Sequence, residues 1–361
     1  MKSTSGAHFI ALDHIRAIAA LMVFSWHFIH GRNGFPIPFS ETPFWGFALF
    51  DEGHVGVSLF MTLSGYLFAK LLNGKSIIYR WFLWNRILRL MPLLLLVLII
   101  NASLKAIDSG DIRSAYWYLR TMLSGFIYPV WPNGGWSITV ELHFYFLLPA
   151  LIFAVRRSRI SLWVLLAVSL GLRGAYYAWN GTVQDLAYHT IFGRFDQFLL
   201  GISAYYGRKL FVDRHLFAAS IVVAFTSFYW LFDLMGGYRQ LSGSPIWIAL
   251  PTLEGFAFAA TIAWYDGSFT HQTGPISTLF AKMGEYSYSI YLLHFFFVFS
   301  AADWIHTHVF DLSNFYIAVS VSIVAFLAMT PISYLSMRYV ELPFLKLRRP
   351  YLVSRNTLNN P

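Results

Sequence analysis

Apolar residues in this chain run in blocks of about twenty, separated by short polar stretches in which the lysines and arginines gather. Neither a period of two nor an amphipathic stripe dominates, so the pattern predicts helices that are apolar all round. A block of about 20 residues at about 1.5 Å per residue spans the hydrocarbon core of a bilayer. Ten blocks qualify, at roughly 11–30, 55–72, 88–104, 136–155, 161–179, 190–207, 215–234, 246–265, 286–304 and 315–338. The first is read as a retained span, because Arg16 interrupts it and no small-residue cleavage site follows.

Loop charge orients the layout. With the N-terminus in the cytoplasm, eighteen basic residues fall in cytoplasmic segments, from Lys2 through Arg86 and Arg89 to Lys346 and Arg355. Six fall outside: Arg32, Lys105, Arg113, Arg120, Arg173 and Arg239. An odd number of spans would put the basic C-terminal residues on the wrong side. The expected fold is therefore an all-α polytopic membrane protein of about ten transmembrane helices, N- and C-termini cytoplasmic. It is organised as one membrane domain, 1–345, and a basic cytoplasmic tail, 346–361. The stretch IRSAYWYLRTMLSGFIY in the longest outer loop reads as an aromatic belt or as a helix lying in the interface.

Composition agrees. Of 361 residues, 57% are hydrophobic and only 12% charged, half the roughly 25% of a soluble domain. The net charge of +9 is accounted for by the loops, so nucleic acid is not an expected partner. The absence of cysteine excludes disulfides, thiolate metal sites and a cysteine nucleophile. No internal repeat is visible, which argues against the inverted-repeat architecture of many transporters.

Ionisable groups at membrane depth are functional candidates by default. Here they are Arg16, His27, Glu141, Arg194, Asp196, Glu254 and His294. In DHIRAIAALMVFSWHFIH, Arg16 and His27 stand eleven residues apart. On a helix that separates them by about 16 Å along the axis and about 20° around it, so they share a face. Arg16 falls near the inner end and His27 near the outer. Glu141, Arg194 and Asp196 count to about the depth of His27, which suggests a shared cavity opening outward. Each has a plainer reading: Arg16 as a snorkelling side chain, His27 and Glu141 as structural partners, Arg194 and Asp196 as an ion pair. Glu254 and His294 read as structural, His14 and His30 as interfacial. On the cytoplasmic side Arg86 and Arg89 lie three apart in RWFLWNRILRLMP. Two guanidiniums on one helix face suit a phosphate, or equally an anionic lipid surface.

Together these segments resemble the membrane-bound acyltransferase family 3 of bacterial inner-membrane enzymes, which O-acylate surface and exported glycans. The similarity covers nearly the whole chain. It is carried by LDHIRAIAALMVFSWH, GVSLFMTLSGYLF, NRILRLMP, WSITVELHFYFLLP, GRFDQFLLGISA, YSYSIYLLHF and VELPF, in that order. Two positions depart from the usual pattern: His14 stands where glycine is common, and Leu142 and His143 follow Glu141 in place of Glu-Gln. The C-terminal soluble esterase-like domain of some members is not expected. The resemblance implies an O-acetyltransferase-like enzyme of the bacterial cell inner membrane. Its donor would be acetyl-CoA or another acyl-CoA and its acceptor a hydroxyl of a glycan or lipid-linked glycan, with membrane lipid around it and no metal. It further implies that Arg86 and Arg89 hold CoA and that Arg16 guides the pantetheine arm. His27 would act as general base or transient acyl carrier. Glu141 would orient His27 or complete proton transfer. Trp136, Arg194, Asp196 and His294 are the substrate-side candidates. A transporter or flippase without covalent chemistry, or an acyltransferase for a small lipophilic acceptor, stands as the alternative.

Overall fold

The computed structural model describes residues 9–39, 42–271 and 274–354. Lys2 and Arg355, counted above among the cytoplasmic charges, lie outside the described residues, as does the rest of the tail from 355 on.

Helix follows helix along the chain. They are α1 (Ile10–His30), α2 (Gly56–Leu71), α3 (Tyr79–Ser109), α4 (Ile112–Met122), α5 (Trp136–Arg157), α6 (Arg159–Asn180), α7 (Ile191–Tyr206), α8 (His215–Leu234), α9 (Ile246–Ser268), α10 (Pro275–Glu285), α11 (Ser287–Leu293), α12 (Val298–His308) and α13 (Phe315–Ser336). Short helical turns connect several of them. A two-stranded antiparallel ribbon, β1 (Lys75–Ile77) with β2 (Leu352–Ser354), ties the C-terminal segment to the start of α3.

Helices form at all ten expected blocks. Among the described residues, seven are long and apolar enough to cross a membrane, or eight if the pair around α11 and α12, bent by 58°, crosses as one. The shortfall from ten lies in α2 and α7, each of 16 residues. At about 1.5 Å per residue they reach only about 24 Å. Both are sheathed by other helices, so neither has to match the thickness of the hydrocarbon.

α2 and α7 cross at bare backbone. A side chain on Gly65 would come within 2.1 Å of the Phe198 carbonyl oxygen, and one on Gly201 within 2.0 Å of that of Thr62. Small residues at a crossing let membrane helices approach closely. α1 is buried along most of its length; Gly56 lets α2 approach to where a Cβ would lie 2.5 Å from the Ala19 carbonyl. At its far end α13 passes into a π-helical turn, Met337–Glu341. The extra residue of such a turn re-aims a side chain, here Glu341, which is fully buried. α4, from the aromatic outer loop, is helical, with Asp111 capping the Arg113 amide.

Three expectations change. Arg173, counted with the outer loop, is fully buried within α6. His14 and His30, expected at the interfaces, are buried too. His14 bonds to Tyr265 and Ser277, and His30 to the carbonyls of Ile37 and Asp51. Residues 346–354, expected to belong to a basic cytoplasmic tail, fold against α3. The Arg349 backbone bonds to Asn85, Ile78 donates to the Tyr351 carbonyl, and Tyr351 is buried.

Candidate active site

Two cavities lie along α1. One, of about 270 Å³, is lined by Arg16, Arg86, Arg89, Glu141, Tyr145 and Arg348 among others. The second, of about 220 Å³, is lined by Trp26, His27, His54, Trp136, Tyr188 and Tyr238 among others. Val57 and Tyr291 belong to both walls. The cavities therefore stand back to back across those two side chains. Tyr291 is fixed by its hydroxyl, which donates to the Gly134 carbonyl at 3.1 Å. Gly134 adopts φ +74°, and a side chain there would press on the Tyr291 ring at 2.9 Å. Glycine is required for both reasons.

The first cavity concentrates positive charge. Arg89 donates to Glu341 at 2.6 Å and lies over the Tyr288 ring. Arg16 pairs with Asp13, and Glu141 accepts from the Tyr145 hydroxyl. Arg86 packs over Phe68, Phe82 and Tyr145. Among the described residues, the Nε of Arg86 and that of Arg348 are buried with no hydrogen-bond partner. Burial, then the charges of Arg86 and Arg89, push the Arg348 guanidinium down to about 9. Crowded guanidiniums with open donors are the chemistry of an anion site.

The second cavity is aromatic with imidazoles set into it. Trp136 and Tyr188 rings lie 5.0 Å apart, Tyr188 and Tyr238 5.0 Å, and His54 and Tyr238 4.6 Å. Hydrogen bonds fix the form of His27. His294 Nδ1 lies 3.1 Å from the Ile290 carbonyl, which can only accept, so that nitrogen carries the proton and His294 Nε2 a lone pair. His27 Nδ1 donates to the Val23 carbonyl at 2.8 Å and stands 3.3 Å from His294 Nε2. Its proton is thus on Nδ1. That leaves His27 Nε2 as a lone pair, with no bonding partner among the described residues.

The other candidates sit differently from the single-cavity expectation. Glu141 belongs to the arginine cavity, and the side chain that meets His27 is His294. The reason is helical: from Trp136 to Glu141 the chain advances about 7.5 Å and turns through about 140°, which carries it from one cavity to the other. Arg194 and Asp196 do not pair with each other. Asp196 accepts from Arg173 at 2.8 Å and from Thr252 at 2.5 Å. Arg194 donates to Ser58 at 2.5 Å and to the Tyr188 carbonyl at 2.7 Å, 3.8 Å from Glu254. Its guanidinium lies over Tyr188 and behind Trp136, so it braces the aromatic wall from outside. Glu254 accepts from Ser58, Gln197 and Tyr229.

The profile of the acyltransferase 3 family, described as "Acyltransferase domain", matches residues 9–338. The chain belongs to this family. With its membrane-length helices, that makes it a multi-pass inner-membrane protein. Two Staphylococcus aureus proteins, from strains COL and MW2, each bear the name "Putative O-acetyltransferase" and are 24% identical to it. The alignments cover 93% of this chain but 57% of theirs, so the chain spans a little over half the length of the curated relatives it matches. No solved structure matches it.

Several residues of this family member's cavities escaped the sequence reading. Arg348 was one charge among many in a basic tail. His54, which lines the histidine cavity, and Glu52, which holds it from behind, stand just before an apolar block and carry no periodicity of their own. Tyr291 is an unremarked aromatic among twenty-one tyrosines. His54 alone left a usable signal: an imidazole and a carboxylate two residues apart at a membrane boundary.

Proposed function

We propose that this chain is an integral membrane O-acyltransferase that takes an acyl group, acetyl in the first instance, from acyl-CoA and places it on a hydroxyl of a surface or exported glycan. The observation that carries the reading is the pair of back-to-back cavities, one rich in arginine and one in histidine and aromatics, with Val57 and Tyr291 between them. The arginine cavity is the donor side. Arg86, Arg89 and Arg348 hold the CoA phosphates, for which the open Nε donors of Arg86 and Arg348 are suited. Arg16, on the same face of α1 as His27 and about 16 Å from it, guides the extended arm. Glu141 and Tyr145 hold the middle of the path. The histidine cavity is the acceptor side, where Trp136, Tyr188 and Tyr238 present flat apolar faces with polar edges to a sugar ring.

The chemistry falls to His27. Its Nε2 lone pair attacks the thioester carbon, the C–S bond breaks, and the CoA thiolate departs among the arginines. Basic residues gather at the arginine end, which supports a cytoplasmic setting for it, where acyl-CoA is made. The acceptor hydroxyl then collects the acyl group from the other side, so the group crosses the membrane without its carrier.

The test is acetylation of the host's surface polysaccharide, measured by mass spectrometry, in a strain that depends on this gene. His27→Ala is expected to abolish acetyl groups while leaving the protein inserted. Arg86→Ala with Arg89→Ala is expected to abolish acyl-CoA binding by the purified protein. Full acetylation with His27→Ala, or unchanged CoA affinity in the double variant, would overturn the corresponding half of the reading.

A further inference from the structure

A histidine that holds an acyl group on Nε2 has no lone pair left. The other ring nitrogen of His27 carries the proton that it donates to the Val23 carbonyl. The acceptor hydroxyl must still lose a proton as it attacks, so transfer needs a second base within the same cavity. His294 does not supply it: its Nε2 faces His27 Nδ1, its Nδ1 is committed to Ile290, and it does not line the histidine cavity. His189 lines the cavity, but its Asp185 partner is in open water, 3.4 Å away and 98% exposed.

His54 differs from both. It sits on the 3₁₀ turn Gly53–Val55 that leads into α2. The turn docks so closely on α1 that a side chain on Gly53 would lie 2.1 Å from the Met22 carbonyl and 3.0 Å from the Trp26 Cβ. That brings the imidazole beside the turn of α1 that carries His27. His54 Nε2 donates to Glu52 Oε2 at 2.7 Å, with both side chains buried. The other oxygen of Glu52 accepts from the Tyr238 amide at 3.0 Å. Gly237, at φ +55°, leaves room for that contact, since a side chain there would lie 1.8 Å from Glu52 Oε1. The turn at Gly53–Val55 and the turn at Gly237 and Tyr238 thus clamp the carboxylate between them, and the carboxylate fixes the ring. His54 Nδ1 is left buried with no hydrogen-bond partner among the described residues, in a ring that lines the cavity. A carboxylate-held imidazole with a bare second nitrogen is the arrangement of a general base.

We infer that His54, held by Glu52, is the base that takes the proton of the acceptor hydroxyl. The inference rests on the donor and acceptor sides proposed above. The hydroxyl oxygen bonds to the acyl carbon, and the bond from that carbon to His27 Nε2 breaks with its electron pair returning to the nitrogen. The hydroxyl proton passes to His54 Nδ1, where Glu52 balances the new charge until water on the acceptor side removes it. Glu52 is a positioning residue and His54 a catalytic one.

The experiment uses the purified full chain, acetyl-CoA and two nucleophiles. Glycerol needs a base to give up its hydroxyl proton; hydroxylamine attacks acyl groups without one. With His54→Ala or His54→Gln, glycerol ester formation is expected to fall about a hundredfold or more, while hydroxamate formation stays within a few-fold of the unaltered protein. Retained hydroxamate also reports that the variant is folded. Glu52→Gln is expected to show the same split with a smaller loss. Equal loss of both products in both His54 variants would make the residue structural, and unchanged glycerol ester would remove it from the proton path; either overturns the inference. If the unaltered protein forms neither product, or His27→Ala still forms both, the donor–acceptor reading falls and takes this assignment with it.

Discussion

At the scale of single residues, the proposed mechanism divides the groups into those that would act on substrate and those that hold other groups in place. His294 belongs to the second kind: its Nε2 faces the protonated nitrogen of His27 and helps keep the other, the proposed nucleophile, bare. His294→Ala is expected to lower kcat on the order of a hundredfold with little change in KM for acyl-CoA. His294→Gln, whose amide oxygen can accept from His27 Nδ1, should return part of the rate. Equal losses for both variants, with a shifted KM, would mean that the residue only shapes the cavity. Asp196 is a different case. It faces the fully buried guanidinium of Arg173, so Asp196→Ala strands a charge, a change that costs about 3–5 kcal/mol. The prediction is loss of folded protein, read as a lower melting temperature in detergent, rather than a weaker acceptor KM in whatever folds. These roles were only half legible in the chain. A polar residue inside an apolar block announces itself, which is why Arg16, His27 and His294 could be picked out. What it touches depends on lateral packing, and spacing along one helix carries no information about that. Depth counting put Glu141 beside His27 for this reason, and the turn of α5 puts it in the other cavity.

At the scale of elements, two features give the fold its shape, and both invite substitution. The crossing of α2 and α7 is backbone against backbone at Gly65 and Gly201. Gly201→Ala presses a methyl on the Thr62 carbonyl, which cannot move away as a side chain could. It is expected to cost about 1–3 kcal/mol, seen as a lower melting temperature. Gly171→Ala, on α6 with nothing within 4 Å of the new atom, should be neutral or slightly stabilising, since alanine is the better helix former. The second feature is the C-terminal strap. The ribbon of β1 and β2 and the buried Tyr351 fold residues 346–354 back under α3, and this brings Arg348 to the arginine cavity. Arg348→Ala removes one charge-assisted contact and is expected to weaken acyl-CoA binding roughly ten- to hundredfold, measured by calorimetry on the purified protein. Unchanged affinity would leave that arginine to lipid headgroups. Apolar periodicity found the long helices because burial in lipid demands an unbroken run. It could not find the strap, because a basic segment that folds back and one that stays in water have the same composition.

At the scale of the whole molecule, the direction of the proposed transfer depends on which end faces the cytoplasm, and the contacts at one end make that question sharp. Arg156, at the end of α5, donates to the Leu72 carbonyl just beyond α2 and to the Tyr206 hydroxyl at the end of α7. Lys70, at the end of α2, pairs with Asp266 near the end of α9. Arg86 and Arg89 stand at the start of α3 beside Arg348 in the arginine cavity. These five basic residues, all assigned to the cytoplasm by the loop-charge count, gather at one end of the bundle, and three of them line the arginine cavity. The histidine cavity lies toward the opposite ends of α1 and α5. If the basic face is cytoplasmic, acyl-CoA meets arginines on entry and the acceptor meets His27 from outside; if the molecule is inverted, the donor would have to be found where acyl-CoA is not made. The chain's lack of cysteine gives a test without background. Asn180 and Lys209 are exposed at the two ends, one closing α6 and one in the turn between α7 and α8. In intact spheroplasts, an impermeant maleimide is expected to label Asn180→Cys at once and Lys209→Cys only after the membrane is opened. The reverse order would put the arginine cavity outside. It would also remove acyl-CoA as the donor, because the groups suited to its phosphates would then face away from its supply.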